Sequence, residues 1–140
     1  IHMKDDPGFA DDGRDLCRYR CESQAYQALH INGICKLGIV PYFYGIFESF
    51  DPQLLGSALE SFEKYHNLPC AILLEYLPNA TSFEHASLSS ESISTAILNL
   101  KIIHGARVVH NDAYPKNTLI APGTRSQRVV WIDFDVSIVF

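Results

Sequence analysis

Two rhythms of apolar residues alternate along this chain, one near the helical period and one of short continuous runs, with polar clusters marking the turns between them. From Arg14 to His30 the apolar positions Leu16, Tyr19, Ala25, Tyr26 and Leu29 recur at helical intervals, with Asp15 as cap and Asn32-Gly33 as stop. Ser89 to His104 repeats the pattern with Ile93, Ile97, Leu100 and Ile103 along one face, behind a serine-rich start and ahead of Gly105. Strands are predicted where β-branched and aromatic residues gather, at Gly38 to Phe50 and at Cys70 to Tyr76. Pro41 restricts the start of the first, and Leu77-Pro78-Asn79 turns the chain out of the second. Val108-Val109, Thr118-Leu119-Ile120 and Arg128 to Ile132 are shorter apolar runs of the same kind, the last two separated by a Pro122-Gly123 turn. Phe83 to Leu88 reads as a short helix, while Asp51 to Asn67 fits either a short helix between strands or a long loop. Ile1 to Lys4 fits the end of a strand, and Asp5-Asp6-Pro7-Gly8 with Asp11-Asp12-Gly13 form a turn-rich connection.

Composition adds limits rather than detail. At 140 residues the chain suits one domain with one core, and 47% hydrophobic against 19% charged residues favours burial over disorder. Lys and Arg are scattered in a net charge of −5, which excludes nucleic-acid binding by a basic stripe. No apolar run approaches the ~20 residues of a membrane span, and Ile1 to Phe9 lacks the pattern of a secretory leader. Cys17, Cys21, Cys35 and Cys70 form no paired Cys-x2-Cys sites, so reduced thiols in a cytoplasmic protein are expected.

Candidate chemistry concentrates between Val109 and Asp135. The loop His110-Asn111-Asp112-Ala113-Tyr114-Pro115-Lys116-Asn117 joins two apolar runs, and a further run ends in Ile132-Asp133-Phe134-Asp135. Phosphoryl transfer needs a cation on the phosphates and a positioned hydroxyl more than it needs covalent help. Asp112 is the candidate to take or orient the hydroxyl proton, and Asn117 with Asp133 offers hard oxygens suited to Mg²⁺. With each residue type at roughly one position in twenty, His-x-Asp-x4-Asn arises by chance in about 2% of chains this long. The flanking runs and the Ile-Asp-Phe-Asp ending are what raise the pattern above that background.

This constellation resembles the catalytic loop of the protein-kinase-like superfamily, in particular its aminoglycoside and choline phosphotransferase branch and fungal kinase-like proteins. The resemblance implies an α+β fold: a partial N-lobe over 1–76 with an antiparallel sheet and one helix, a hinge, and a partial, mainly helical C-lobe over 77–140. It implies that Lys4 grips nucleotide phosphates with Glu22 as its ion-pair partner, and that the backbone around Glu75 and Leu77 receives an adenine. His110 then resembles the histidine that braces the metal-binding Asp segment, and ATP and Mg²⁺ are the implied cofactors.

Departures qualify the resemblance. Tyr114 stands where protein kinases usually carry a lysine that touches the transferred phosphate; Lys116 either supplies that charge from another direction or is a solvated loop lysine. Asp133-Phe134-Asp135 replaces Asp-Phe-Gly and favours the small-molecule branch, and none of the eight glycines builds a phosphate-cradling loop. The likeness covers the middle of a family domain truncated at both ends. Two functions are therefore expected: an ATP- and Mg²⁺-dependent phosphotransferase acting on a hydroxyl of a protein or small molecule, or a degenerate kinase-like protein that binds a nucleotide or partner without turnover. A plain α+β domain in which Asp112, Asn117 and Asp133 cap turns is the bland alternative.

Overall fold

The computed structural model describes the chain except Lys4, Asp5, Glu63, Tyr65, His66, Thr124 and Arg125, and except the side chains of Leu55 and Ala58. The fold is α+β, with two α-helices and three small antiparallel sheets among the described residues. Helix α1 spans Arg18–Ile31 and buries Ala25, Tyr26 and Leu29 as its sequence spacing predicts, together with Cys21, whereas Leu16 precedes the helix and is exposed and Tyr19 is half-buried. It begins four residues later than Arg14. Asp15 is not its cap: the Asp15 carboxylate accepts the Cys17 amide and pairs with Arg20, while its backbone bridges Phe9. Such local side-chain bonding competes with helix and moves the start downstream.

Strands β1, Phe43–Phe47, and β2, Ala71–Leu74, pair antiparallel, with an irregularity between Phe43 and Gly45. His2 extends this sheet beyond β2 by exchanging backbone hydrogen bonds of 2.9 and 3.0 Å with Cys70, as a strand end near Ile1 would. Between β1 and β2, Pro52–Phe62 winds as 3-10 turns broken at Gly56 and Leu59, so neither a regular α-helix nor an open loop describes it. A short strand β3, Thr81–Ser82, follows, and Phe83 to Leu88 is a turn rather than the expected helix. Its Ser82 carbonyl accepts both the His85 and the Ala86 amides, and Phe83 is buried.

Helix α2 spans Ser90–Gly105, and the Ser89 hydroxyl caps it by accepting the Ser92 amide at 3.0 Å. Its buried face is Ala96, Asn99 and Ile103, whereas Ile93 and Ile97 are exposed. Two polar bonds set that rotation: Asn99 donates to the Val129 carbonyl at 2.8 Å, and the Trp131 indole donates to the Ala96 carbonyl at 3.0 Å. An apolar count cannot see them. Strands β4, Val108–Val109, β5, Thr118–Ala121, β6, Arg128–Trp131, and β7, Ile138–Val139, complete the chain. They pair as β3-β5-β6 and as β4-β7.

The expectation of a mainly helical second half is corrected: residues 77–140 hold one α-helix and five short strands among those described. The reason is local, because the runs 108–109, 118–121 and 128–131 each satisfy their backbone groups on a neighbouring run. One continuous core crosses both halves, with Tyr26, Leu29, Val40 and Phe43 meeting Ile103, Val108, Trp131 and Phe134. Burying each such side chain stabilises by roughly 1.5–3 kcal/mol. The Trp131 amide also donates to the Ile39 carbonyl at 2.9 Å, anchoring β6 beside the first half. No described helix is long and apolar enough to cross a membrane.

Candidate functional site

The pairing of β4 with β7 and of β5 with β6 forces two connecting segments, 110–117 and 132–137, to lie side by side. They are stitched at both ends. The His110 ring nitrogen Nε2 donates to the Ile132 carbonyl at 2.8 Å, and the Ile132 amide donates to the Asn117 carbonyl at 3.0 Å. Because a carbonyl can only accept, His110 carries its proton on Nε2. Burial holds this ring below the usual histidine range, against the opposing pull of the Ile132 carbonyl. It is therefore neutral at neutral pH, a brace and not a proton carrier.

Within the loop, Pro115–Asn117 forms a 3-10 turn; the Tyr114 amide bonds the Asp112 carbonyl at 2.8 Å and the Asn117 amide bonds the Tyr114 carbonyl at 3.0 Å. Buried Asn117 directs Nδ2 at two acceptors, the carbonyl and Oδ2 of Asp112, each at 2.8 Å. That commitment fixes the amide orientation and leaves Asn117 Oδ1 on the opposite side. Lys116 Nζ lies 2.8 Å from the same Asp112 Oδ2. Lys116 first and Asn117 with it hold the Asp112 carboxyl below the usual carboxylate range, while Asp112 in turn raises the Lys116 ammonium.

Asp133 stands at φ +64°, and Asn111 at φ +62°, both in the left-handed region that non-glycine residues seldom occupy. Asn111 spends its side-chain amide on the Val136 carbonyl at 3.2 Å, a further stitch between the segments. Burial of its surroundings pushes the Asp133 carboxyl up although one side faces solvent, and the charges of Asp135 and Glu22 push it further. Burial and the neighbouring carboxylates thus outweigh the positive charge of Lys116 at Asp133.

Three residues that the sequence reading left without roles hold this arrangement. Phe134 is fully buried with its ring 4.6 Å from His110 and 5.3 Å from Tyr26, so an aromatic column runs from the loop to α1. Arg18 of α1 pairs with Asp135. The periodicity that placed Tyr26 in the core was a usable signal for the column; the Arg18 pair had none, because the two residues are 117 positions apart.

The expected nucleotide-binding residues fall unevenly. Lys4 lies outside the described residues, and Glu22 accepts His2 Nε2 at 2.7 Å. Glu75 sits at the end of β2 with its amide bonded to the Tyr42 carbonyl at 2.8 Å, while its carboxylate takes the Tyr42 amide and Arg128. Burial pushes that carboxyl up, but Arg128 and the Tyr42 amide outweigh burial and hold it low. An adenine would find the Glu75 amide already engaged, whereas the Leu77 amide makes no hydrogen bond among the described residues.

The donor set suits Mg²⁺ only in a particular way. Among the described residues no three His, Cys, Asp or Glu side chains converge as a metal-ligand set. A hard cation here would take Asn117 Oδ1 and the Asp133 carboxylate and draw its remaining oxygens from phosphates and water, which is the usual habit of magnesium at nucleotide sites. A scan against protein-family models finds no match for this chain, and no curated protein matches it.

Proposed function

We propose that the chain is a kinase-like phosphotransferase core that uses ATP and Mg²⁺ to place a phosphoryl group on a hydroxyl of a protein or small molecule. The observation that carries this reading is Asn117: its side-chain nitrogen is spent on Asp112, which turns Oδ1 away from that carboxylate, and its backbone carbonyl accepts the Ile132 amide, so the residue adjoins the strand end that delivers Asp133. One side chain thereby shapes the proton-accepting residue and offers an oxygen to a cation. On this reading the β1-β2 sheet with α1 corresponds to the smaller lobe, the end of β2 at Glu75 to Leu77 to the hinge, and α2 with the loop to the larger lobe.

Magnesium held by Asn117 and Asp133 would neutralise the phosphates and fix their approach. The residues of the chain do the rest. Asp112 keeps Oδ1 clear of Lys116 and Asn117, so that oxygen can orient the hydroxyl and receive its proton as the new P–O bond forms and the nucleoside diphosphate leaves. Lys116, already beside Asp112, puts a positive charge where the transferred group would carry spread negative charge. His110 and Phe134 hold the Asp133 segment still.

A second reading is favoured by a specific feature of Asp112. With Lys116 and Asn117 on one oxygen and its carboxyl held low, it is a weak proton acceptor, as suits a protein that binds nucleotide without turnover. Thermal shift with ATP, with and without Mg²⁺, followed by single-turnover phosphate transfer separates the two. The phosphotransferase reading expects a magnesium-dependent shift that Asp133→Ala abolishes and Lys116→Ala leaves, with turnover lost in Asp112→Ala. A shift without turnover supports the binding module, and a shift unaltered in Asp133→Ala refutes the metal assignment.

A further inference from the structure

Asp135 is a buried carboxylate, its side chain 11% exposed, and it lies two residues beyond the left-handed Asp133. A buried carboxylate persists only when a charge or donors answer it. Arg18 supplies that answer from the first turn of α1, and its own side chain is 69% exposed, so its truncation removes a charge without opening a cavity. The remaining ties of this turn to the rest of the fold are of other kinds. The Phe134 ring is held by Tyr26 and His110, and the Ser137 hydroxyl donates to the Cys21 carbonyl at 3.3 Å.

From this we infer that Arg18 is a positioning residue for the cation-binding carboxylate: its ion pair with Asp135 fixes the Asp133-Phe134-Asp135 turn against α1, setting Asp133 beside Asn117. The inference rests on the reading that Asn117 and Asp133 hold the cation. A left-handed Asp133 is a conformation that few residue types adopt and that its neighbours on both sides help to hold. The aromatic column fixes the depth of Phe134, and hydrogen bonds hold the backbone at Ile132 before it and at Val136 and Ser137 after it. The ion pair adds the tie at residue 135 itself, the one that joins the turn to α1 by charge. Without Arg18, the Asp135 carboxylate is left buried and unanswered near Asp133, and it relieves that state by turning toward solvent, carrying Asp133 with it. A neutral amide at position 135 has no such need.

Amide hydrogen exchange across 132–137 in the ligand-free chain, together with calorimetric titration of ATP with and without Mg²⁺, tests this on wild type, Arg18→Ala, Arg18→Lys, Asp135→Asn and the Arg18→Ala/Asp135→Asn double variant. Arg18→Ala is expected to speed exchange in 132–137 about tenfold, with α2 unchanged, and to weaken the magnesium-dependent part of ATP binding about tenfold. Arg18→Lys should fall between, and the double variant should return both readouts to within about twofold of wild type. Wild-type exchange and binding in Arg18→Ala would overturn the proposal, as would a double variant no better than Arg18→Ala. Rescued exchange in a chain whose wild type shows no magnesium-dependent ATP binding would overturn the phosphotransferase reading while supporting Arg18 as the anchor of the turn.

Discussion

Asn117→Asp isolates the two tasks assigned to one side chain. The substitution keeps the shape and an oxygen for a cation, and it removes the donor that faces the Asp112 carbonyl and Oδ2 at 2.8 Å. A neutral hydrogen bond contributes about 0.5–1.5 kcal/mol and one to a charged acceptor about 1.5–3, so the loss should be about 2–4 kcal/mol. Asn117 is buried, 3% exposed, so water cannot replace the missing donor and these figures need little discount for screening. In a domain of this size that corresponds to a fall in Tm of roughly 6–20 °C. Urea denaturation should show the full deficit at neutral pH. The new carboxyl, facing two acceptors, has a raised native pKa, so the deficit should shrink as pH falls through that value and the protonated group regains a donor. Mg²⁺ with ATP should also narrow the gap, since a cation compensates a carboxylate better than an amide. A deficit below about 0.5 kcal/mol, or one unchanged between about pH 4 and pH 8, would refute the claim that the Asn117 nitrogen shapes the loop.

Asp133→Asn should make the ligand-free chain more stable at neutral pH while abolishing its magnesium response. The native carboxyl is raised, so wild type loses this group's share of stability as pH rises from about 3.9 through the raised value, and the amide variant does not; a less stable variant by thermal melting without Mg²⁺ would contradict this. His110 works in the other direction: its native pKa is depressed, so its contribution is full above about pH 6.5 and is lost as pH falls below it. His110→Phe should lower stability by about 1–3 kcal/mol through the unpaired Ile132 carbonyl and remove this part of the slope, measured as the difference between wild-type and variant denaturation series. Arg128→Ala should cost about 1–2 kcal/mol by leaving the partly buried Glu75 carboxylate without its cation. Arg128→Ala/Glu75→Gln should recover part of that loss in equilibrium denaturation, and no recovery would place the effect in the arginine's packing.

What was legible in the sequence was whatever local chemistry writes. The burial face of α1, the serine cap of α2, the short apolar runs and the polar loop between them follow from spacing over a few residues. Misreadings came where two local signals competed or where a distant group intervened. Asp15 was a sound cap by residue type, yet Arg20 and the Cys17 amide hold it outside the helix. Ile93 and Ile97 have helical spacing, yet Asn99 and the Trp131 indole turn the other face of α2 inward. The strand at Thr81–Ser82 is two residues long, too short to carry a periodicity of its own, and exists because β5 presents a free edge to it.

The same division runs through the candidate site. The sequence by itself determined which oxygens and cations are available, Asp112, Lys116, Asn117, Asp133 and the neighbouring Asp135, because composition and order are properties of the chain. Only the tertiary structure decided how they are used: that the Asn117 nitrogen goes to Asp112, that His110 grips the carbonyl before Asp133, and that Arg18 answers Asp135 across 117 positions. Hydrogen bonds and ion pairs act over a few ångströms of space whatever the separation along the chain, so their partners are fixed by packing and leave no periodic trace for a sequence to show.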